Sequence, residues 1–324
     1  MQDYLLANAL EQTIRHYGHQ AGALAPAAQH HLSSPGKRTR SQLLFAAAPQ
    51  SEQTNALVHA AAAVELIHEA SIVHDDIQDQ TERRRGVKTV WRKFGANAAL
   101  LLGDHLVAAA FRAIAEAPGV DQIKASLIVA LSESVSRAAS GQHLQLTNQT
   151  SGNAVAFYID VAVNKTGALI ALPLQFAALF NHKVLADTSA ARRCGEQLGL
   201  AYQILDDLKP YATPALLRED EDMQNRVITA PVAAFNSLFP SVDPFQALLS
   251  QTDRRDRAVR ECQRWLDSAL AKARYEAAFL SKTSAVVVEK FISQKLSCIV
   301  PAATERVSSF QPWQGATASR AEAV

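Results

Sequence analysis

Two short segments carry paired aspartates on otherwise apolar stretches: HDDIQD at residues 74–79 and YQILDD at residues 202–207. Residues 56–80 contain no glycine or proline, so the first segment reads as part of one long helix. At about 100° per residue, His68, Asp75 and Asp79 fall within roughly 40° of one another on that helix. Neighbours such as Ala61, Leu66, Ile67, Ile72 and Val73 are apolar, which places the helix largely inside the protein, where an uncompensated carboxylate is costly. Carboxylates in that setting want a cation. Two oxygen ligands one turn apart suit magnesium, which keeps much of its water and shares itself with phosphate oxygens. Alone, the pattern reads equally well as an acidic helix end entering solvent. The second segment changes the balance. Gln203 stands three residues before Asp206 and four before Asp207, so amide and carboxylates share a helix face. Acid pairs on two apolar helices suggest facing metal sites in the core of a helical bundle.

Cations complete the pattern. PGKRTR supplies Lys37, Arg38 and Arg40, RRRG supplies Arg83, Arg84 and Arg85, and NKTG supplies Lys165 and Thr166. Arginine forks and lysine point charges are the groups that phosphate oxygens select. Arg38 and Arg83 read individually as solvated surface charges. The set as a whole reads as two anion pockets, one bridged by metal and one purely basic.

The elements that must hold these residues are helical. Of the 324 residues, 48 % are hydrophobic and 19 % charged, with glycine and proline scarce, so the fold class is all-α. Stripes at helical spacing run through Ile123, Leu127, Leu131 and Val135, and through Val259, Cys262, Leu266, Ala269 and Ala273. Candidate breaks fall at Pro35-Gly36, 49–53, Pro118-Gly119, 150–152, 210–214 and 239–244. No repeat or linker divides the chain, which is expected to form one domain over residues 1–308 with a polar tail at 309–324. A net charge of +1 supplies no field for nucleic acid. Cys194, Cys262 and Cys298 form no C-x-x-C pair and suit a reducing cytoplasm. No signal peptide is visible, and the longest uncharged run, Thr166 to Phe180, is broken by Pro173 and falls short of a membrane span.

In this order along the chain the motifs resemble those of the trans-isoprenyl diphosphate synthases, the polyprenyl synthetase family. GKRTR resembles G-K-R-x-R, HDDIQD with the following arginines resembles D-D-x-x-D, GQHLQL resembles G-Q-x-x-D-L, KTGAL resembles K-T-x-x-L, and YQILDD resembles F-Q-x-x-D-D. The resemblance implies a helical bundle around a deep apolar cavity, a homodimer, and Mg²⁺-dependent condensation of isopentenyl diphosphate with an allylic diphosphate. By position, Lys37, Arg40, His68 and Arg85 would hold isopentenyl diphosphate. Asp75 and Asp79 would bind magnesium, Arg84 and Lys165 would contact the allylic diphosphate, and Gln203 and Asp206 would serve a third metal and the leaving group. Thr166 would support the developing cation through its oxygen. In this family bulk just before the first motif sets product length. Ala70 and Ser71 provide no aromatic floor, so a product of geranylgeranyl length or longer is expected.

The sequence also departs from the pattern. Pro210 replaces a third acid and should end or kink its helix one turn early. Arg226-Val227 replaces the Gly-Lys of a downstream D-L-x-x-G-K, and Gln145 replaces the acid of G-Q-x-x-D-L. These changes keep a weakly active or non-catalytic partner subunit open, and two further readings stand beside it: a terpene cyclase on the same fold, and a metal-dependent phosphohydrolase using His68, His74 and Asp75.

Overall fold

A chain rich in alanine and leucine and poor in β-branched alternation forms helices throughout. The computed structural model describes residues 2–34, 36–49, 53–147, 152–182 and 188–296. In chain order, α1 is Gln2–Gly18, α2 Ala25–Leu32, α3 Thr39–Ala47 and α4 Thr54–Gln78. A hairpin of β1 (Arg83–Arg84) and β2 (Val87–Lys88) leads to α5 (Val90–Phe94), α6 (Ala96–Ala115), α7 (Asp121–Thr147) and α8 (Ala154–Ala162). A π-turn over Val163–Gly167 connects α8 to α9 (Ala168–His182). Then come α10 (Thr188–Leu208), α11 (Pro214–Glu219), α12 (Glu221–Gln224), α13 (Ala230–Leu238), α14 (Pro244–Ser250), α15 (Thr252–Ala277) and α16 (Lys282–Phe291).

Helix α4 is the axis of the bundle. It is apolar around most of its circumference and packs against α1, α3, α6 and α9, the environment that such a helix requires. Its length and hydropathy would also allow it to cross a membrane, as would those of α6 and the stretch Ala154–Asn181, but 83 % of the α4 window is buried inside this protein. Helix α10 is the second axis, between α9 and α15. A Cβ on Gly199 would lie 2.3 Å from the Gly167 Cα, so the absence of side chains lets α10 touch the π-turn directly. Both expected stripes face the core: Ile123, Leu127, Leu131, Cys262, Leu266, Ala269 and Ala273 are buried, and Val135 and Val259 pack against them.

Several expectations change in detail. Helix α4 stops at Gln78, and Asp79 is its C-cap, with its N–H donating to the Asp75 carbonyl at 2.8 Å. Pro173 does not break its helix; α9 runs through it, with Leu172, Leu174 and Phe176 buried on all sides. As Pro210 predicts, α10 ends at Leu208 and tightens into a 3₁₀ turn over Lys209–Ala212. Among the described residues the only strands are β1 and β2, and the sequence reading does not anticipate them. Residues 309–324, Cys298, Pro35 and the break at 150–151 lie outside the described residues.

Candidate active site

One cavity of about 590 Å³ collects most of the residues singled out by the sequence. Asp75 and His68 enter it from α4, Arg40 from α3, Arg84 and Arg85 from the hairpin, Lys165 and Thr166 from the π-turn, and Gln203 and Asp206 from α10. Apolar walls come from Ile67, Ala70, Val107, Val135 and Leu169, and Ser71 lies among them. Asp79 and Lys37 are exposed and are not among the lining residues.

The two aspartate pairs are built alike. Successive helix residues point about 100° apart, so each pair sends one carboxylate into the cavity and turns the other into the protein. Asp75 and Asp206 line the cavity, whereas Asp76 and Asp207 are buried at 3 % and 7 % exposure. Burial raises the Asp75 carboxyl above its usual range against the pull of Lys165, and Asp79 adds to the rise. Asp76 Oδ1 accepts from Arg84 Nε at 2.8 Å and lies 2.7 Å from its Nη2, which holds Arg84 beside the cavity. Asp207 accepts from Gln203 Nε2 and from the Ala230 N–H, both at 2.8 Å. Burial nevertheless pushes its carboxyl up to about 7. On the exposed side, Asp206 pairs with Lys209.

The hairpin presents the arginines. Arg85 and Gly86 form its two-residue turn with φ of 51° and 81°, the positive pair of a type I′ connection. Arg85 Nη1 donates to the Ser34 carbonyl at 2.6 Å. Its guanidinium crosses Gly36, where an added Cβ would stand 2.9 Å from Nη2, and this close approach explains the glycine that precedes Lys37. Arg83 is exposed and donates to the Gly86 carbonyl, as a surface charge would.

Arg38 is not a surface charge. It is 8 % exposed and lies 2.6 Å from both Glu11 and Glu69 and 3.6 Å from Glu65. Its sequence neighbours Lys37, Thr39 and Arg40 give no sign of this, because its partners lie on α1 and α4, remote in sequence. The network anchors the start of α3 and so aims Arg40, whose buried Nε has no hydrogen-bond partner in the protein. The facing His68 has a buried, unpartnered Nδ1, and its pKa is driven well below the ordinary value by burial and by Arg40, so the ring is neutral. A buried guanidinium edge and an imidazole nitrogen without partners are polar groups suited to a ligand.

The π-turn supplies the remaining groups. Lys165 Nζ donates to Gln145 Oε1 at 2.8 Å and stands 3.7 Å from Asp75 Oδ2. The Thr166 hydroxyl donates to Gln203 Oε1 at 2.8 Å. A Cβ on Gly141 would lie 2.4 Å from the Lys165 backbone nitrogen, so the glycine of GQHLQL lets α7 press against the turn. π-Turns of this kind are frequent at functional sites.

A polyprenyl synthetase family model matches residues 22–266. The chain belongs to the polyprenyl synthetase family. A geranylgeranyl pyrophosphate synthase of Geoglobus acetivorans is 34 % identical over 186 residues, covering 56 % of this chain and 58 % of that protein. A short chain isoprenyl diphosphate synthase of Methanocaldococcus jannaschii is 30 % identical, covering 64 % of this chain and 63 % of its own length. These alignments therefore span less than two thirds of either relative. The crystal structure of geranylgeranyl pyrophosphate synthetase from Pyrococcus horikoshii superposes with a TM-score of 0.75 at 25 % identity, covering 89 % of this chain and 95 % of that one. The all-α fold and the order of the site-bearing helices are those of this family.

Against the polyprenyl synthetase pattern, the region after the second aspartate pair differs most. Arg226, at the glycine position, keeps a left-handed φ of 56°. Its side chain does not replace the missing lysine in the site: Nη2 bonds Asp243 at 2.9 Å and the guanidinium lies over Phe245. Val227, at the lysine position, lines a small chamber with Lys165, Gln203, Asp207 and Asp222. Sequence reasoning misses Asp222, although it stands at the acid of that D-L-x-x-G-K stretch. Burial, with Asp220 and Asp79 nearby, pushes its carboxyl up to about 6.

Among the described residues, no three His, Cys, Asp or Glu side chains form a group able to hold a metal ion. The family match, not this absence, sets aside the reading of a His-Asp phosphohydrolase. His74 instead sets Nε2 3.2 Å from the Leu100 carbonyl, in a helix-to-helix contact. The donors present, Asp75 with Asp79 one turn on and Asp206 opposite, are hard carboxylate oxygens whose coordination would be completed by diphosphate and water. They fit magnesium.

Proposed function

We propose that the protein condenses isopentenyl diphosphate with an allylic diphosphate head to tail, and that the product is a trans-polyprenyl diphosphate of geranylgeranyl length or longer. The observation that carries this reading is the convergence of Asp75, Asp206, Lys165, Arg84, Arg85, Arg40 and His68 on one cavity with an apolar wall. A terpene cyclase handles one diphosphate and has no use for the second cationic pocket around Arg40, His68 and Arg85. The Geoglobus acetivorans and Methanocaldococcus jannaschii relatives are a geranylgeranyl pyrophosphate synthase and a short chain isoprenyl diphosphate synthase, and a polyprenyl synthase of Caulobacter crescentus was crystallised with calcium and isoprenyl diphosphate.

Asp75 and Asp79 on one side and Asp206 on the other would hold magnesium, which when bound supplies positive charge that stabilises the departing diphosphate. Arg84 and Lys165 bind the allylic diphosphate beside it. Arg40, Arg85, His68 and the more exposed Lys37 hold isopentenyl diphosphate. The allylic C–O bond breaks, and the double bond of isopentenyl diphosphate forms the new C–C bond. The proton then lost passes to the released diphosphate, so no side-chain base is needed. Thr166 presents its oxygen to the cationic carbon, and the apolar wall keeps water from it. Ala70, 2 % exposed, and Ser71, whose hydroxyl donates to the His68 carbonyl, add little bulk to the path of the growing chain. A homodimer is part of this proposal. It is supported by Leu100 and Leu101, more than half exposed on α6.

The test is to incubate the purified chain with farnesyl diphosphate, isopentenyl diphosphate and Mg²⁺ and to identify products by mass spectrometry. An elongated prenyl diphosphate is expected. Val227 at the lysine position favours one other reading, a partner subunit that binds without turnover; binding of both diphosphates with no product would support it instead. Cyclised hydrocarbon formed without isopentenyl diphosphate would indicate a cyclase.

A further inference from the structure

We propose that Asp207 is a positioning residue that fixes the polarity of a hydrogen-bonded chain ending at Thr166, and that it is not a metal ligand. The proposal rests on the condensation reading above. A glutamine amide has nearly the same shape in its two orientations, so its neighbours decide which end donates. Asp207 Oδ1 lies 2.8 Å from Gln203 Nε2, and in the ionised form, which the Ala230 N–H on Oδ2 favours, the carboxylate only accepts, so the amide nitrogen faces it. Gln203 Oε1 is thereby turned to Thr166, 2.8 Å away, and the single hydroxyl proton of Thr166 is committed to it. The remaining lone pairs of Thr166 are left for the cavity that it lines. The carboxylate thus ensures that the reacting carbon meets an oxygen and not an O–H dipole pointing the wrong way.

Asp207 is itself held. Its Oδ2 accepts from the N–H of Ala230 at 2.8 Å, the first residue of α13, where the helix dipole favours an anion. With both oxygens occupied from within the protein and 7 % exposure, it is not among the residues lining the cavity that contains Asp75 and Asp206. The first motif repeats the arrangement, since Asp76 holds Arg84 while its neighbour Asp75 faces the cavity.

The test compares wild type, Asp207→Asn, Gln203→Glu and the double variant. The readouts are kcat, the KM for the allylic diphosphate and the Mg²⁺ half-saturation, with calorimetric titration of Mg²⁺ and a non-hydrolysable allylic thiolodiphosphate as a readout independent of turnover. Asp207→Asn lets its amide nitrogen face Gln203, turn that amide over and reverse the Thr166 hydroxyl. Its kcat should fall about 10- to 100-fold, the range for a group supporting a directly acting residue. KM and the Mg²⁺ half-saturation should change less than about twofold. In the double variant the asparagine donates to the new glutamate, Thr166 donates again, and kcat should exceed that of either single variant. Wild-type kcat in Asp207→Asn, a double variant no better than the singles, or a rise in Mg²⁺ requirement matching that of Asp206→Asn would overturn the proposal. Should Asp207→Asn not fold, Gln203→Leu cuts the chain while sparing the Ala230 bond; it should lose kcat similarly, and full activity would refute the idea. A wild-type chain without condensation activity would defeat the functional reading, whereas calorimetry alone still decides whether Asp207 is a ligand.

Discussion

Gly141 on α7 and Lys165 in the π-turn approach so closely that a methyl group on the glycine would sit 2.4 Å from the backbone nitrogen of Lys165. Any side chain at 141 must push α7 and the turn apart, taking Lys165 away from Asp75 and Thr166 away from Gln203. Gly141→Ala is expected to cost about 1–3 kcal/mol in chemical denaturation, the usual penalty for overpacking. It should also lower kcat, while a Gly→Ala change at exposed Gly22, strained by its φ of 54° but away from the cavity, leaves kcat unchanged.

Product length should respond to the wall upstream of Asp75. Ser71→Phe places a ring in a cavity bordered by Val107, Val135 and Leu169 and should shorten the main product by at least one isoprene unit. Ala70→Phe should act in the same direction, with some loss of stability because Ala70 is buried. Mass spectrometry of the products checks both, and an unchanged distribution would refute the depth argument.

The network behind the basic pocket makes a prediction about acid stability. Burial opposes ionisation of Glu69, but contact with His31 and the Arg38 charge outweigh it and hold the carboxyl at about 2, below the ordinary 4.5. A depressed carboxylate stabilises the fold above its unfolded pKa, and that stabilisation is lost as pH falls from about 4.5 through 2. The total is on the order of 3 kcal/mol. Urea titrations should show this decline, and Glu69→Gln should flatten it while lowering stability at neutral pH, where Arg38 loses one of its two closest partners.

Lys209 competes for Asp206. The lysine is 70 % exposed, so the pair contributes little and a divalent ion displaces it readily. Lys209→Ala is expected to lower the Mg²⁺ half-saturation by no more than about fivefold, the equivalent of a surface ion pair. A higher Mg²⁺ requirement would mean that Lys209 assists the site and does not compete with it.

Much of this site is legible in the sequence because helical periodicity carries it. Spacing puts His68 and Asp75 on one face of α4, and Gln203 and Asp206 on one face of α10, and Pro210 marks the end of α10. What local pattern cannot carry is long-range pairing. Arg38 reads as a surface charge because Glu11, Glu65 and Glu69 meet it only in the fold. Adjacency alone does not divide the labour within each aspartate pair; the family resemblance singles out Asp75 and Asp206, and the packed helices turn Asp76 and Asp207 inward. The hairpin escaped notice because strands of two residues have no periodicity to read. Asp222 was overlooked because its environment comes from Asp79 and Asp220 and not from its own helix face.

The central claim is that Asp75 and Asp206 grip one diphosphate through divalent ions across a shared cavity. Crystals grown with Mn²⁺ and a non-hydrolysable allylic thiolodiphosphate, measured at the manganese edge, test it most directly. The account predicts anomalous peaks between the diphosphate and Asp75 with Asp79, and another at Asp206. Peaks confined to other carboxylates, or a diphosphate bound with no metal between it and either aspartate, would contradict it.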